Sequence, residues 1–291
     1  MIISKPELKR HILFVVAVLV AAAMVYGPLS DLFASRLKRD YHTLIPFIPI
    51  ISIYLLYLKR KEICEKMQYG YASGSAVAVA GLVCYALMRG FGGNLNQNDS
   101  ATLITFSSLV FLWGAFIFAY GTKAFHAALF PLLFLVFMIP VPAFIMEKII
   151  AFLQSGSTEF ADLLFWLSQA PYYREGFLFH LPVVSVQVAP ECSGIRSGLA
   201  LFITACLAGY LFLDSGWRRI VLVLCVFPIT MFKNGIRIVT LTLLGNYMDP
   251  RFLEGSLHME GGIPFFILAL LLMAPILYFL RRTESKRNRK R

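Results

Sequence analysis

The sequence predicts an all-α integral membrane protein of about eight transmembrane helices, forming one polytopic membrane domain over 1–291. Three observations carry this expectation. Hydrophobic residues make up 58% of the 291 positions and charged ones only 15%, whereas a soluble domain carries about 25% charged residues. The apolar residues fall in runs long enough to cross about 30 Å of hydrocarbon. The net charge of +11 is gathered at the ends of those runs, which reads as a membrane-topology signal and not as a nucleic-acid surface. An ordinary soluble enzyme, a disordered tail and a coiled-coil or collagen fibre are excluded, and no nucleic-acid partner is expected.

Taken in order, the expected spans cover 12–30, 43–58, 73–89, 101–120, 124–142, 192–213, 218–247 and 262–280. The first follows Lys9 and Arg10 and contains Ala21, Ala22 and Ala23, features shared with a signal peptide. No mature soluble domain follows it, so it reads as an uncleaved helix. The second and third spans are short or weakly apolar. With the N-terminus inside, Lys5, Lys9, Arg10, Lys59, Arg60, Lys61, Lys66, Lys123, Arg218, Arg219 and the basic tail face the cytoplasm. Most of the 27 lysines and arginines then lie inside, which satisfies the positive-inside rule with both termini cytoplasmic. Residues 143–170 mix apolar faces with Glu147, Lys148, Glu159 and Asp162, a pattern for one or two helices at the outer interface. Val184, Ser185, Val186, Gln187 and Val188 alternate with a period of two behind Pro182, which suggests a small outer hairpin able to pair with an extended substrate.

Ionisable residues at membrane depth are costly, so the few present are functional candidates. They fall in three stretches that the topology brings to one face: 189–197, 233–237 and 257–262. Cys192 follows Pro190 and is expected in the first turn of the sixth span, where unpaired N–H groups and the helix dipole favour a thiolate. Arg196, one turn further, is expected on the same side, with Glu191 and Ser193 beside it. Cys64, Cys84, Cys206 and Cys225 read as packing cysteines.

Arg237 lies eighteen or nineteen residues beyond Arg218 and Arg219, about 28 Å at ~1.5 Å per residue, which brings it level with Cys192. Asn234 shares its helix face. Lys233 fits better as a lysine reaching headgroups or water. His258 precedes the last span, where its imidazole is accessible to water and titrates near neutrality; among the other histidines only His180 is near that face. No histidine or cysteine spacing suits a metal, and neither a metal nor a cofactor is expected.

A nucleophile, a base and a cation at one face suit acyl transfer. Cys192 attacks a peptide carbonyl, His258 moves protons as general acid and base, and Arg237 stabilises the oxyanion or thiolate. Ser193 competes as nucleophile, but a hydroxyl depends far more on an adjacent base.

The stretch Glu191-Cys192-Ser193-Gly194-Ile195-Arg196, then Asn234-Gly235-Ile236-Arg237, then His258, resembles the exosortase/archaeosortase family, with its blocks in the family's order. The likeness in detail covers about 184–265; earlier spans match only as hydrophobic helices. The resemblance implies a membrane-embedded cysteine protease or transpeptidase, with the family's cysteine, arginine and histidine falling on Cys192, Arg237 and His258. It implies exported protein substrates ending in a recognition motif, a transmembrane helix and a basic cluster, cleaved at the outer face of a prokaryotic inner membrane. Membrane lipid surrounds the enzyme, and the acceptor is water, a lipid or another amine. The family is also associated with exopolysaccharide loci, and no appended soluble domain is expected here. Tethering enzyme and substrate in one membrane raises their effective concentration.

Two rival readings remain open at this level. A transporter or channel predicts that Arg237 matters and Cys192 does not, although no inverted repeat is visible. A scaffold for polysaccharide export predicts tolerance of conservative changes at all three positions.

Overall fold

A computed structural model describes residues 5–34, 44–91, 95–249, 251 and 262–288. The helical periodicity read from the sequence is realised over most of these residues, and the chain divides into two units, 1–145 and 146–291. Among the described residues six helices are long and apolar enough to cross a membrane, or up to seven if one broken pair counts as a single span. The protein is an all-α integral membrane protein.

In the first unit, α1 (Lys5–Ala34) and α4 (Tyr71–Phe91) both pack on α5 (Gln97–Ala127). The weak apolarity of the third expected span has a packing cause. A Cβ at Gly114 of α5 would come within 2.2 Å of the Ala78 nitrogen in α4, so small residues allow the two backbones to touch. Two expected spans are corrected here. The second, 43–58, contains α2 (Phe47–Leu58), whose 12 residues reach only about 18 Å at ~1.5 Å each, short of the hydrocarbon thickness. A short α3 (Arg60–Glu65) follows. The fifth, 124–142, is not one helix. Gly121 at φ 87° breaks α5 before it, α6 (Leu129–Phe134) lasts six residues, a 3-10 turn follows, and Pro140 and Pro142 end the run.

In the second unit, the stretch expected as one or two helices forms one, α7 (Ala143–Ser168). It lies against α10 (Val226–Tyr247), where a Cβ on Gly235 would stand 2.9 Å from the Phe160 Cβ and 3.1 Å from the Ala161 nitrogen. The Phe160 and Phe232 rings meet edge to face at 5.6 Å.

The expected hairpin is present and larger: β1 (Tyr173–Glu175), β2 (Leu178–His180) and β3 (Ser185–Gln187) form an antiparallel sheet in the order β1-β2-β3. Gly176 takes the φ of 60° that its two-residue turn requires. Phe179, Leu181, Val184 and Val188 pack the sheet on Ala161 and Phe165 of α7 and on Ile238 and Val239 of α10. Arg174 fastens it further, donating to Glu159 at 2.6 Å and Asp162 at 3.1 Å on α7.

Beyond the sheet come a 3-10 turn (Pro190–Ser193), α8 (Ile195–Phe212), α9 (Gly216–Leu224), α10 and α11 (Gly262–Asn288). Leu201, Ala205, Leu222, Val226, Ala269 and Met273 join these four helices in one core. Arg218, expected among headgroups, is instead 4% exposed and pairs with Glu284 of α11 at 2.9 Å. Glu284 also accepts the backbone N–H groups of Asp214 and Ser215, so one carboxylate caps the start of α9 and holds the last helix to it.

Candidate active site

The segment leading to Cys192 is held at several backbone points. The Val188 N–H donates to the Phe177 carbonyl at 2.9 Å, and Gln154 of α7 donates to the Val188 carbonyl at 2.6 Å. Pro190 then opens the 3-10 turn, as its missing N–H favours. The Cys192 N–H donates to the Ala189 carbonyl at 2.8 Å. Cys192 therefore stands one turn before α8 and not within its first helical turn. Gly194, at φ 81° and ψ 13°, separates the two. This left-handed residue also cancels the helical i,i+4 relation expected between Cys192 and Arg196. Arg196 is exposed, as is Glu191, while Cys192 is half-buried.

Gly194 is required for a second reason. A Cβ there would lie 3.1 Å from Asn234 Cγ and Oδ1. Asn234 itself is wholly buried, and its Nδ2 donates to the Cys192 carbonyl at 2.7 Å. The stretches 189–197 and 233–237, distant in sequence, thus meet at this hydrogen bond and at a second, between Lys233 and Ser197. Arg237, one turn along α10 from Asn234, is close enough to Cys192 for their charges to interact, as is Glu191.

Lys233 departs from the sequence expectation. It does not reach headgroups or water: it is 2% exposed, and its Nζ donates to Ser197 Oγ. The lysine and asparagine that are neighbours in α10 each hold a different part of the 192–197 turn. Sequence reasoning passed over Lys233 and Ser197 because the packing of α10 on α8 is not visible in hydropathy. The signal that was available is the cost of a lysine in an apolar run. Ser193, the rival nucleophile, is fully buried, and its hydroxyl has no hydrogen-bond partner among the described residues.

His258 lies outside the described residues. His180 makes its contacts within and beside the sheet, with Ser185 at 2.9 Å and Tyr173 in a stacked arrangement at 6.0 Å. At the α7 side of the sheet, burial and a hydrogen bond to Asp162 push the Tyr172 phenol up, and pairing with Glu159 and Asp162 holds Arg174 still more firmly charged. The five cysteines are all free thiols.

Comparison with curated proteins and with solved structures finds no match. The family model of the transmembrane exosortases matches residues 35–275, a range that holds the sheet, the Cys192 turn and α10. That match takes in most of the chain, and the protein therefore belongs to the transmembrane exosortase family.

Proposed function

We propose that this chain is a cysteine peptidase and transpeptidase that removes the C-terminal sorting signal of exported proteins, a motif followed by a transmembrane helix and a basic cluster. Membership of the exosortase family supports a membrane transpeptidase or protease function in general; substrate signal, intermediate and acceptor belong to the proposal. Cys192 gives its proton to His258, the thiolate attacks the scissile carbonyl carbon, and Arg237 stabilises the oxyanion. Collapse breaks the C–N bond, and the leaving amine takes a proton from His258. A thioester to Cys192 remains, and a water, lipid or amine acceptor attacks it, loses its proton to His258 and releases the thiolate, which takes that proton back from His258. The enzyme acts in the inner membrane of a prokaryote with this site at the outer face.

The observation that carries the reading is the bond from Asn234 to the Cys192 carbonyl, with Arg237 one turn away on the same helix and within electrostatic reach of the thiol. The Cys192 N–H is already committed to Ala189, so it is not free for an oxyanion and the task falls to other donors such as the guanidinium.

The test is co-expression of the wild type, Cys192→Ala or Cys192→Ser with an exported protein bearing the three-part signal, followed by mass measurement of that protein's mature C-terminus. Processing by the wild type and its loss in Cys192→Ala is the expected result, and added mass identifies the acceptor. Equal processing by all three removes Cys192 as nucleophile.

A further inference from the structure

The end of the first unit where α1 begins carries a cation that the acyl-transfer scheme does not use. Arg10 lies at the start of the apolar run Leu8–Ser30, and Tyr71 opens the run Tyr71–Gly90, so both stand where hydrocarbon gives way to headgroups. The segment joining α3 to α4 is bonded to α5 where that helix breaks. The Gln68 N–H donates to the Tyr120 carbonyl at 2.9 Å and the Gly70 N–H to the Phe118 carbonyl at 3.4 Å. Glycine is required on both sides of this seam: a Cβ on Gly70 would lie 2.6 Å from the Ile117 oxygen, and one on Gly121 2.4 Å from the Gln68 oxygen. The seam holds Tyr69 in place, between the two bonded residues. The Arg10 guanidinium stands 3.8 Å over the Tyr69 ring centroid, and the Tyr71 ring is stacked on Tyr69 at 4.7 Å.

Arg10 is half-buried, and its Nε is buried without a hydrogen-bond partner. Tyr120, within electrostatic reach of Arg10, has its hydroxyl on His11 Nδ1 at 2.9 Å. Glu62, the carboxylate in the first turn of α3, is taken by Lys59 and Lys66, each at 2.9 Å. Among the described residues the guanidinium is therefore met by an aromatic face and by no carboxylate. Its planar fork of N–H donors suits the oxygens of a phosphate. Lys9 next to it and Lys123, two residues beyond Gly121, are both exposed. We infer that this end of the first unit binds the headgroup of an anionic membrane lipid: Arg10, held flat by Tyr69, takes the headgroup phosphate, and Lys9 and Lys123 favour a headgroup of net negative charge. A zwitterionic headgroup brings its own cation toward the lysines and is disfavoured. The two tyrosine rings suit the boundary layer, apolar along the ring and wet at the hydroxyl. None of these residues belongs to the Cys192 site, so the inference stands apart from the proposed function.

The experiment strips lipid from the full chain in an uncharged detergent, adds phosphatidylglycerol or phosphatidylcholine with the same acyl chains, and counts retained lipid by native mass spectrometry. The wild type is expected to retain phosphatidylglycerol about tenfold better, as one charge-assisted hydrogen bond implies. Arg10→Gln keeps donors, loses the charge and brings the two lipids to near parity. The Lys9→Gln, Lys123→Gln double variant, changed only at exposed positions, lowers the preference severalfold and serves if Arg10→Gln folds poorly. Arg282→Gln, at an exposed position of the second unit, leaves it unchanged. Equal retention of both lipids by the wild type overturns the inference, as does a preference that survives in the Arg10 and lysine variants alike. A loss in Arg282→Gln as large as in Arg10→Gln marks a bulk charge effect and also overturns it. Inorganic phosphate is expected not to displace phosphatidylglycerol, because it lacks the chains that keep a lipid beside the site; full displacement would overturn the lipid assignment in favour of a free phosphate.

Discussion

Asn234 is the residue on which the two halves of the site depend. Its Nδ2 faces the Cys192 carbonyl at 2.7 Å, and it lies fully buried, so water cannot take its place. Asn234→Ala leaves that carbonyl without its donor, at a cost of about 1–3 kcal/mol. Expressed at the transition state, this is a roughly ten- to hundredfold loss of processing rate. Asn234→Asp is expected to be worse, because a carboxylate oxygen opposed to a carbonyl oxygen repels it and adds a buried charge. The readout is the fraction of a co-expressed exported protein that carries its mature C-terminus. Wild-type processing by Asn234→Ala would show that the hydrogen bond does not position the nucleophile.

The elements contribute two separate devices. The sheet delivers the chain to Cys192 and leaves β3 at its edge among the described strands. The bonds Leu181 to Val184 and Val188 to Phe177, with Phe179 opposite Val186, direct the 184, 186 and 188 backbone groups toward β2. Those of Ser185 and Gln187, both exposed, turn to the edge. A substrate strand added at this edge would run beside the approach to Cys192. Gln187→Pro removes an outward N–H and spares the ladder, whereas Val186→Pro breaks the ladder itself. If an extended substrate pairs here, Gln187→Pro lowers processing severalfold while thermal stability holds; unchanged processing rejects strand pairing. The second device is the Glu284 cap on α9, with side chains of Arg218 and Glu284 only 5% and 7% exposed. Glu284→Gln strands a buried guanidinium and is expected to cost about 3 kcal/mol. The Arg218→Met, Glu284→Gln double variant, whose amide oxygen still accepts from the 214–215 backbone, is expected to recover much of that loss, read as the thermal midpoint in detergent. A single variant as stable as the wild type would show that the pair is not a clamp.

Across the whole molecule, Cys192, Ser197, Lys233, Asn234 and Arg237 all belong to the unit formed by 146–291. The orientation proposed from the basic clusters puts both termini in the cytoplasm. A fluorescent protein fused after Arg291 is then expected to fold and fluoresce, and an alkaline phosphatase fused there to be inactive. The opposite pattern would reverse the orientation of the last helix and move the proposed site away from the outer face. The burial of Arg218 removes one charge from the inner-face tally, and the tail beyond Arg281 holds the bias.

What the sequence by itself determined was whatever depends on local composition and period. Long apolar runs specify helices that satisfy their own backbone in lipid, and the 184–188 alternation specifies a strand. Pro190, Cys192, Asn234 and Arg237 were legible as a constellation because polar residues at membrane depth stand out against their surroundings. Tertiary structure alone decided what depends on contacts between segments far apart in the chain. It decided that α7 meets α10 at Gly235, that 43–58 holds a helix too short to span, and that Lys233 turns inward to Ser197 instead of outward to headgroups. Hydropathy assigns each residue a solvent, but not a partner. A lysine with four rotatable carbons reaches either water or a buried hydroxyl, and only the packing of α8 against α10 settles which.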